Sequence, residues 1–580
     1  RFTLEPFPLP PVLKPMKKFN MPHKFSFLLA FLLPVIPAAA QFGIPVSDPI
    51  PDVPKGDLVL ELEDWITIPA SNNGRPRAKL SVFRTTPDGR FWVNDQRGSL
   101  WVVVDGEATE YFDISTRVTQ FIDSPGLGTG FHSFAFHPEF LENGKFYTTH
   151  TERANARTPD FGPLAAPSSG QQGVITEWTV MDPGSNQFLG TSRELLRVQF
   201  PGNIHALQEI AFHPYVEPGD EDYGLLYICI GDGGSFNGGW PDNTQRLDSV
   251  MGAILRIDPA GTNSANGQYG YPDSNPWADD GDPDTLGEIY NYGFRNPHRL
   301  TWDRGGDHIG LVGGIGEGNV EEVNLMVKGA DYGWPQREGT WRFNPDSLAT
   351  RDNVYPLPDN DAEFGFTYPV AQYDHDDGFA IVGGYVYRGS DIPGMEGLYL
   401  FGDIPSGRVF YIEADDIELG QQATVQEATL TQFGQETTLR SLVGANRTDL
   451  RFGEGHDGEL YFMTKTDGVI RKVVRFEGPG GTVDNNPEDF LLVSDFEGPS
   501  DLFSSASGTV RRVNDPFSGS MNQVLAVHAA DGFHAAELDE NIRAGASGTV
   551  YFRFAFAGDY AGAGWGFSEA ALPDSDFAYN

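Results

Sequence analysis

Residues 287–335 concentrate the side chains best suited to chemistry. Within them Tyr292-Gly293-Phe294-Arg295-Asn296-Pro297 sets a guanidinium and an amide just ahead of a proline. Proline lacks an N–H and pushes its predecessor toward extended geometry, so Arg295 and Asn296 are expected at a strand end facing a cleft. A glycine run, Gly313-Gly314-Ile315-Gly316-Glu317-Gly318, follows, and then Glu321 and Glu322. Backbone bare of side chains can bring carbonyl oxygens against a hard cation. The stretch therefore predicts an anion receptor beside a cation site. His205, in Phe200-Pro201-Gly202-Asn203-Ile204-His205-Ala206-Leu207-Gln208-Glu209, stands where a strand begins. An imidazole at a cleft rim titrates near working pH, as a general base must; taken alone, a structural histidine is the plainer reading. His137 and His213 recur in near copies, Ser133–Pro138 and Glu209–Pro214, and read as structural turns. The turn Asp374-His375-Asp376-Asp377-Gly378 offers a cation site or simply an exposed acidic turn.

The elements that must position these groups are short strands. Six segments lead from glycine into aromatic and aliphatic residues: Asp88–Val93, Asn143–Tyr147, Tyr223–Ile228, Gly306–Leu311, Glu396–Leu400 and Asp457–Phe462. Each reads as a turn feeding a strand. Their recurrence over some 400 residues, the scarcity of helical periodicity, and 69 glycines with 42 prolines predict an all-β fold, a six-bladed β-propeller over residues 41–476. Residues 477–489 turn linker-like. Strand-like runs at 490–493, 508–513, 523–528 and 548–556 then predict a second, incomplete β-sandwich of jelly-roll type over 490–580, suited to a glycan or surface contact.

Composition narrows the function. Residues 16–40 combine a lysine-rich start, a short apolar run and a small-residue cleavage site, so residues 1–40 are expected to be upstream sequence plus a secretory signal, placing the protein outside the cell or in the periplasm. No later run is long enough for a membrane span. The formal charge is −41 and becomes −45 without residues 1–40, which excludes nucleic acid as a partner. The single cysteine, Cys229, excludes an intrachain disulfide framework and a CxxCH haem attachment, so electrons leaving this protein need another carrier. No nucleophile-elbow motif supports a hydrolase.

Eight motifs stand in a fixed order: His205-x-x-x-Glu-Ile-Ala-Phe, Gly231-Asp232-Gly233-Gly234, Gly252–Pro259, Tyr292–Pro297, Glu321-Glu322-Val323-Asn324, Tyr332-Gly333-Trp334-Pro335, Gly383–Gly389 and Leu450-Arg451-Phe452-Gly453. Together they resemble the soluble quinoprotein glucose/sorbosone dehydrogenase family from about Leu80 to Val474, and they are also similar to Hedgehog-interacting-type propellers. The resemblance implies a propeller carrying pyrroloquinoline quinone (PQQ) over calcium, with an aldose or related sugar oxidised at C1 to its lactone and an external acceptor taking the electrons. It implies His205 as general base, Arg295 and Asn296 on the cofactor's oxygens, and Arg447 and Arg451 near its carboxylates. It further implies Gly316 and Glu317 at the active-site calcium, and Glu322 with the Tyr332 carbonyl at a second calcium. The chain departs from the family at Gly128-Thr129-Gly130, at Ile204, at Leu207-Gln208 and at Pro405, where a cofactor-binding lysine has no counterpart. These departures keep open a non-catalytic propeller that binds a glycan or a protein.

Overall fold

The computed structural model describes residues 42–477 except 125, 127 and 164–169, together with short strand backbones between 503 and 579. Strands dominate, and the α-helices are single turns such as Phe140–Asn143, Ser235–Gly238 and Leu439–Val443. Four meanders of four antiparallel strands begin with Leu80–Thr85, Phe131–Phe136, Leu207–Phe212 and Pro297–Trp302. Two more, beginning with Ile381–Val386 and Leu450–Glu454, merge into one sheet through Lys55–Thr67. That early strand pairs parallel with Gln426–Gln432 and antiparallel with Val469–Glu477.

The first strands of these meanders touch one another in cyclic order, the sixth returning to the first, so the sheets form a closed ring. The apolar core is accordingly divided. One cluster joins the second and third meanders through Ile175, Leu196, Ile210 and Ile228; another joins the sixth to the first through Phe83, Val93, Tyr461 and Met463. Each fully buried side chain of this kind contributes about 1.5–3 kcal/mol, so stability is spread round the ring. All six glycine-led segments of the sequence open the second strand of a meander, Phe91–Asp95, Lys145–Glu152, Leu226–Ile230, Gly310–Gly314, Leu398–Asp403 and Leu460–Thr464.

An insertion, Arg337–Glu338, Trp341–Phe343 and Val354–Tyr355, interrupts the fourth meander. It packs Phe343 and Val354 against Phe236 and Trp334. The expected signal region and the expected linker beyond Glu477 lie outside the described residues. So do the runs expected at 490–493 and 548–556. Within the expected C-terminal module the described strands form three pairs: Phe503–Ser505 with Ala536–Leu538, Thr509–Asn514 with Gln523–His528, and Gly566–Phe567 with Ala578–Tyr579. Among the described residues no helix is long and apolar enough to cross a membrane.

Candidate functional site

The groups singled out in the sequence gather where the innermost strands begin. His205 precedes Leu207–Phe212, and Arg295 and Asn296 precede Pro297–Trp302. His205 holds a left-handed backbone, φ +49°, costly for a residue with a Cβ and fixed by its carbonyl accepting the Gly233 N–H at 3.0 Å. Its Nδ1 lies 2.7 Å from Asp232 Oδ1. Asp232 is fully buried; its Oδ1 also accepts the Gly234 N–H at 2.8 Å, and its own N–H donates to the Arg295 carbonyl at 2.8 Å. With Nδ1 committed, Nε2 is the free nitrogen of a side chain that keeps 15% exposure. A Cβ on Gly231 would sit 2.6 Å from His205 Cβ and 2.7 Å from Asn296 Oδ1, so only glycine permits this approach. Asn296 Oδ1 is buried without a hydrogen-bond partner among the described residues.

Electrostatics poise the pair. Burial first, and then the Arg295 charge, hold the His205 imidazolium below its ordinary range, while Asp232 pulls the other way. Burial would raise the Asp232 carboxyl, but His205 and Arg295 outweigh it and hold the group ionised. A neutral imidazole backed by a carboxylate can accept a proton and keep it.

Arg295 is itself engaged. Its Nε and Nη2 both donate to Glu317 Oε2, with Nε at 2.7 Å, and its guanidinium lies 5.9 Å from the Trp334 ring centre. Glu317 Oε1 lies 2.6 Å from Arg351 Nη2 without hydrogen-bond geometry, so Arg295 holds one oxygen of the carboxylate and the other stays buried with no hydrogen-bond partner among the described residues. The Glu338 Oε1 atom accepts N–H groups from Glu317, Gly318, Asn319 and Val320 at 2.8–3.1 Å, shaping the glycine loop round a buried carboxylate. No donor reaches the carbonyl oxygens of Gly316 and Glu317 among the described residues. Carbonyl oxygens of this kind can ligate a hard cation through backbone alone.

Gly316, Glu322 and Tyr332 line one enclosed chamber of about 10 Å³ with Arg295, Trp334 and Glu338, the size of one water or ion. Of the four residues implied at the two calcium positions, Glu317 does not line this chamber. Glu322 accepts from Gly339 N at 2.6 Å and from Asn324 Nδ2 at 2.9 Å, and burial raises it to about 7. Among the described residues no cluster of three or more His, Cys, Asp or Glu forms a metal cage.

Arg451 is buried on the axis with its Nε unpartnered, whereas Arg447 stays 52% exposed and pairs with Asp449 at 2.6 Å. His137 and His213 accept backbone N–H groups two residues on, at 3.1 and 3.2 Å, as structural turns do. The Asp374–Gly378 turn holds the N-terminal segment, Ile50 N on Asp374 and Val53 N on Asp377. Sequence reasoning passed over Asp232, hidden in what reads as a glycine turn, and Glu338, which sits in no quoted motif.

Fold and site together define a ring of antiparallel sheets with a histidine–aspartate pair and an arginine-lined recess at one mouth. A profile of the Glucose / Sorbosone dehydrogenase family matches residues 80–472, and the chain belongs to that family. It is 26% identical over 478 residues to the HIPL1 protein of Arabidopsis thaliana, covering 74% of this chain and 64% of that one. It is 22% identical over 450 residues to quinoprotein glucose dehydrogenase B of Acinetobacter calcoaceticus, covering 69% and 85%. The solved apo-form of the soluble aldose sugar dehydrogenase of Escherichia coli shares the fold, with a TM-score of 0.50 at 17% identity over 72% of this chain and all of that one. The chain spans 64%, 50% and 48% of HIPL1, of HIPL2 from Arabidopsis thaliana and of the Hedgehog-interacting protein of Mus musculus.

Proposed function

We propose that this chain is an exported, PQQ- and calcium-dependent oxidoreductase of aldoses or related sugars, built on a six-bladed β-propeller. The observation that carries the reading is the His205–Asp232 pair, whose imidazole feels the Arg295 charge and which shares the space around Gly231 with the unpartnered Asn296 oxygen. Asn296, Arg295 and the buried, unpaired Arg451 suit a planar anion rich in oxygens, and the bare carbonyls of Gly316 and Glu317 suit calcium. Glu322 and the Tyr332 carbonyl would serve a second calcium or complete the same one.

When bound, the quinone supplies the two-electron oxidising equivalent that takes the C1 hydride. His205 Nε2 takes the C1 hydroxyl proton, and Asp232 stabilises the imidazolium that results. Arg295, fixed by Glu317, places a positive charge beside the position where negative charge accumulates. His205 returns its proton to water as the lactone leaves. An external acceptor then takes the electrons. The test is reconstitution with PQQ and calcium, followed by dye reduction over a panel of sugars; folded protein that neither binds PQQ nor reduces dye rules the reading out.

A second reading, a propeller that binds a glycan or protein without catalysis, is favoured by the similarity to the Hedgehog-interacting protein of Mus musculus and by the ion pairs of Glu317 with Arg295 and Arg351. Glycan or protein capture by wild-type protein that takes up no PQQ would establish it.

A further inference from the structure

The axis of the ring carries more positive charge than its own carboxylates balance. Glu209 is shared by Arg84 and Arg299, the latter at 3.3 Å. Arg451 donates from Nη1 to the Leu450 carbonyl at 2.6 Å and meets no carboxylate. Lys465, 6% exposed, donates from Nζ to the neutral amide oxygen of Gln96 at 2.7 Å and meets none either. Among the described residues these four cations have one carboxylate bonded to them; Asp449 acts on Arg451 and Lys465 only from a distance, being bonded to Arg447. His132 and His298, packed into the same cluster, are held neutral by burial and by these cations.

Taking unpaired charges out of water is costly, and buried charges in folded proteins are matched by partners. Burial and the Arg451 charge press the Lys465 ammonium toward its neutral form, and burial and Arg299 bring Arg451 down to about 9. The cluster is continuous with the histidine site. Gln96 Nε2 is 3.3 Å from His132 Nδ1. The loop that leads to His132 passes Gly128, whose Cβ would sit 3.0 Å from the His205 backbone nitrogen.

We infer that Lys465, with Arg451, forms a polycarboxylate-binding well. The inference rests on the cofactor reading above for the identity of the anion, and on the charge inventory for the existence of the well. An anion with two or more carboxylates restores the missing balance. A neutral sugar does not, which separates this recess from a sugar subsite.

The test uses the full chain, with tryptophan-fluorescence titration of PQQ and of redox-silent benzene-1,2,4-tricarboxylate, and thermal unfolding without ligand. Wild type binds both anions. Lys465→Met weakens PQQ at least tenfold, loses the tricarboxylate and unfolds at a higher temperature when ligand-free, because an unbalanced charge has gone; Lys465→Arg binds within a few-fold of wild type. Lys465→Gln removes the charge while keeping a hydrogen bond to Gln96, and repeats the test if the methionine variant does not fold. PQQ bound equally by wild type and by the uncharged variants overturns the well and leaves the cofactor reading standing. Tricarboxylate bound with lysine dependence but no PQQ uptake overturns the cofactor reading and keeps the well. Binding of neither anion overturns both.

Discussion

His205 Nδ1 stands 2.7 Å from Asp232 Oδ1 across a turn that also ties Asp232 to the Arg295 backbone. The first contact sets the tautomer of the imidazole, and the second joins the third meander to the fourth. His205→Ala should lower sugar-dependent dye reduction about 10²–10⁴-fold while PQQ titration stays near wild type. Asp232→Asn should cost about 10–10³-fold, because an amide no longer holds the Nδ1 proton in place.

The same contact fixes a pH dependence. Burial and Arg295 lower the His205 pKa and Asp232 raises it, so the acid limb of the rate should fall below the ordinary imidazole value of 6.5. Removing the carboxylate disfavours the imidazolium, and the acid limb of Asp232→Asn should move to still lower pH. A shift to higher pH would count against this account of the pair.

Stability should respond to a different histidine. Burial, then Lys465 and Arg299, depress His132 from 6.5 to about 3. A depressed pKa contributes stability above the unfolded value that is lost as pH falls toward the folded one, since only the unfolded chain takes up the proton. Between pH 6.5 and about 4, urea unfolding of wild type should lose about 1.4 kcal/mol per pH unit relative to His132→Asn.

Glu338 gathers four backbone N–H groups of the loop onto one oxygen. Glu338→Ala leaves those donors buried without a partner, and should cost about 2 kcal/mol or more in chemical unfolding. Glu338→Gln, which keeps an accepting oxygen, should cost less.

Calcium should raise the melting temperature of the wild-type chain, with the shift growing with concentration. A Cβ on Gly316 would meet the Val320 carbonyl oxygen at a separation no real contact reaches. Gly316→Ala should therefore abolish the calcium-dependent shift, and Glu322→Ala should reduce it, as followed by thermal unfolding with and without chelator.

Much of this arrangement was legible in the chain. The glycine-led turns marked the second strand of each meander because a strand pair needs a tight reversal there whatever its partners. Arg295 and Asn296 were legible because proline fixes the geometry just behind them. Lys465 was not, since Thr464-Lys465-Thr466-Asp467-Gly468 has the composition of a solvated turn, and only tertiary packing buries it. Arg447 and Arg451 stand four apart and looked alike, yet one precedes the strand and faces water while the other is inside it and faces the axis. The side-chain partner of Glu317 was not legible either, since Arg295 stands 22 residues earlier and only the fold brings its guanidinium onto that carboxylate.

The strand Lys55–Thr67 is flanked on both edges by segments from the far end of the ring, Gln426–Gln432 and Val469–Glu477. A growing chain makes this clasp first and fastens it last, so Leu58, Leu60 and Leu62 must wait for more than 350 later residues before they find cover. A protease cut in the exposed turn at Asn72–Gly74 would spare every group discussed above and leave the clasp held to the far end of the ring by strand pairing alone, no longer tethered to the first meander.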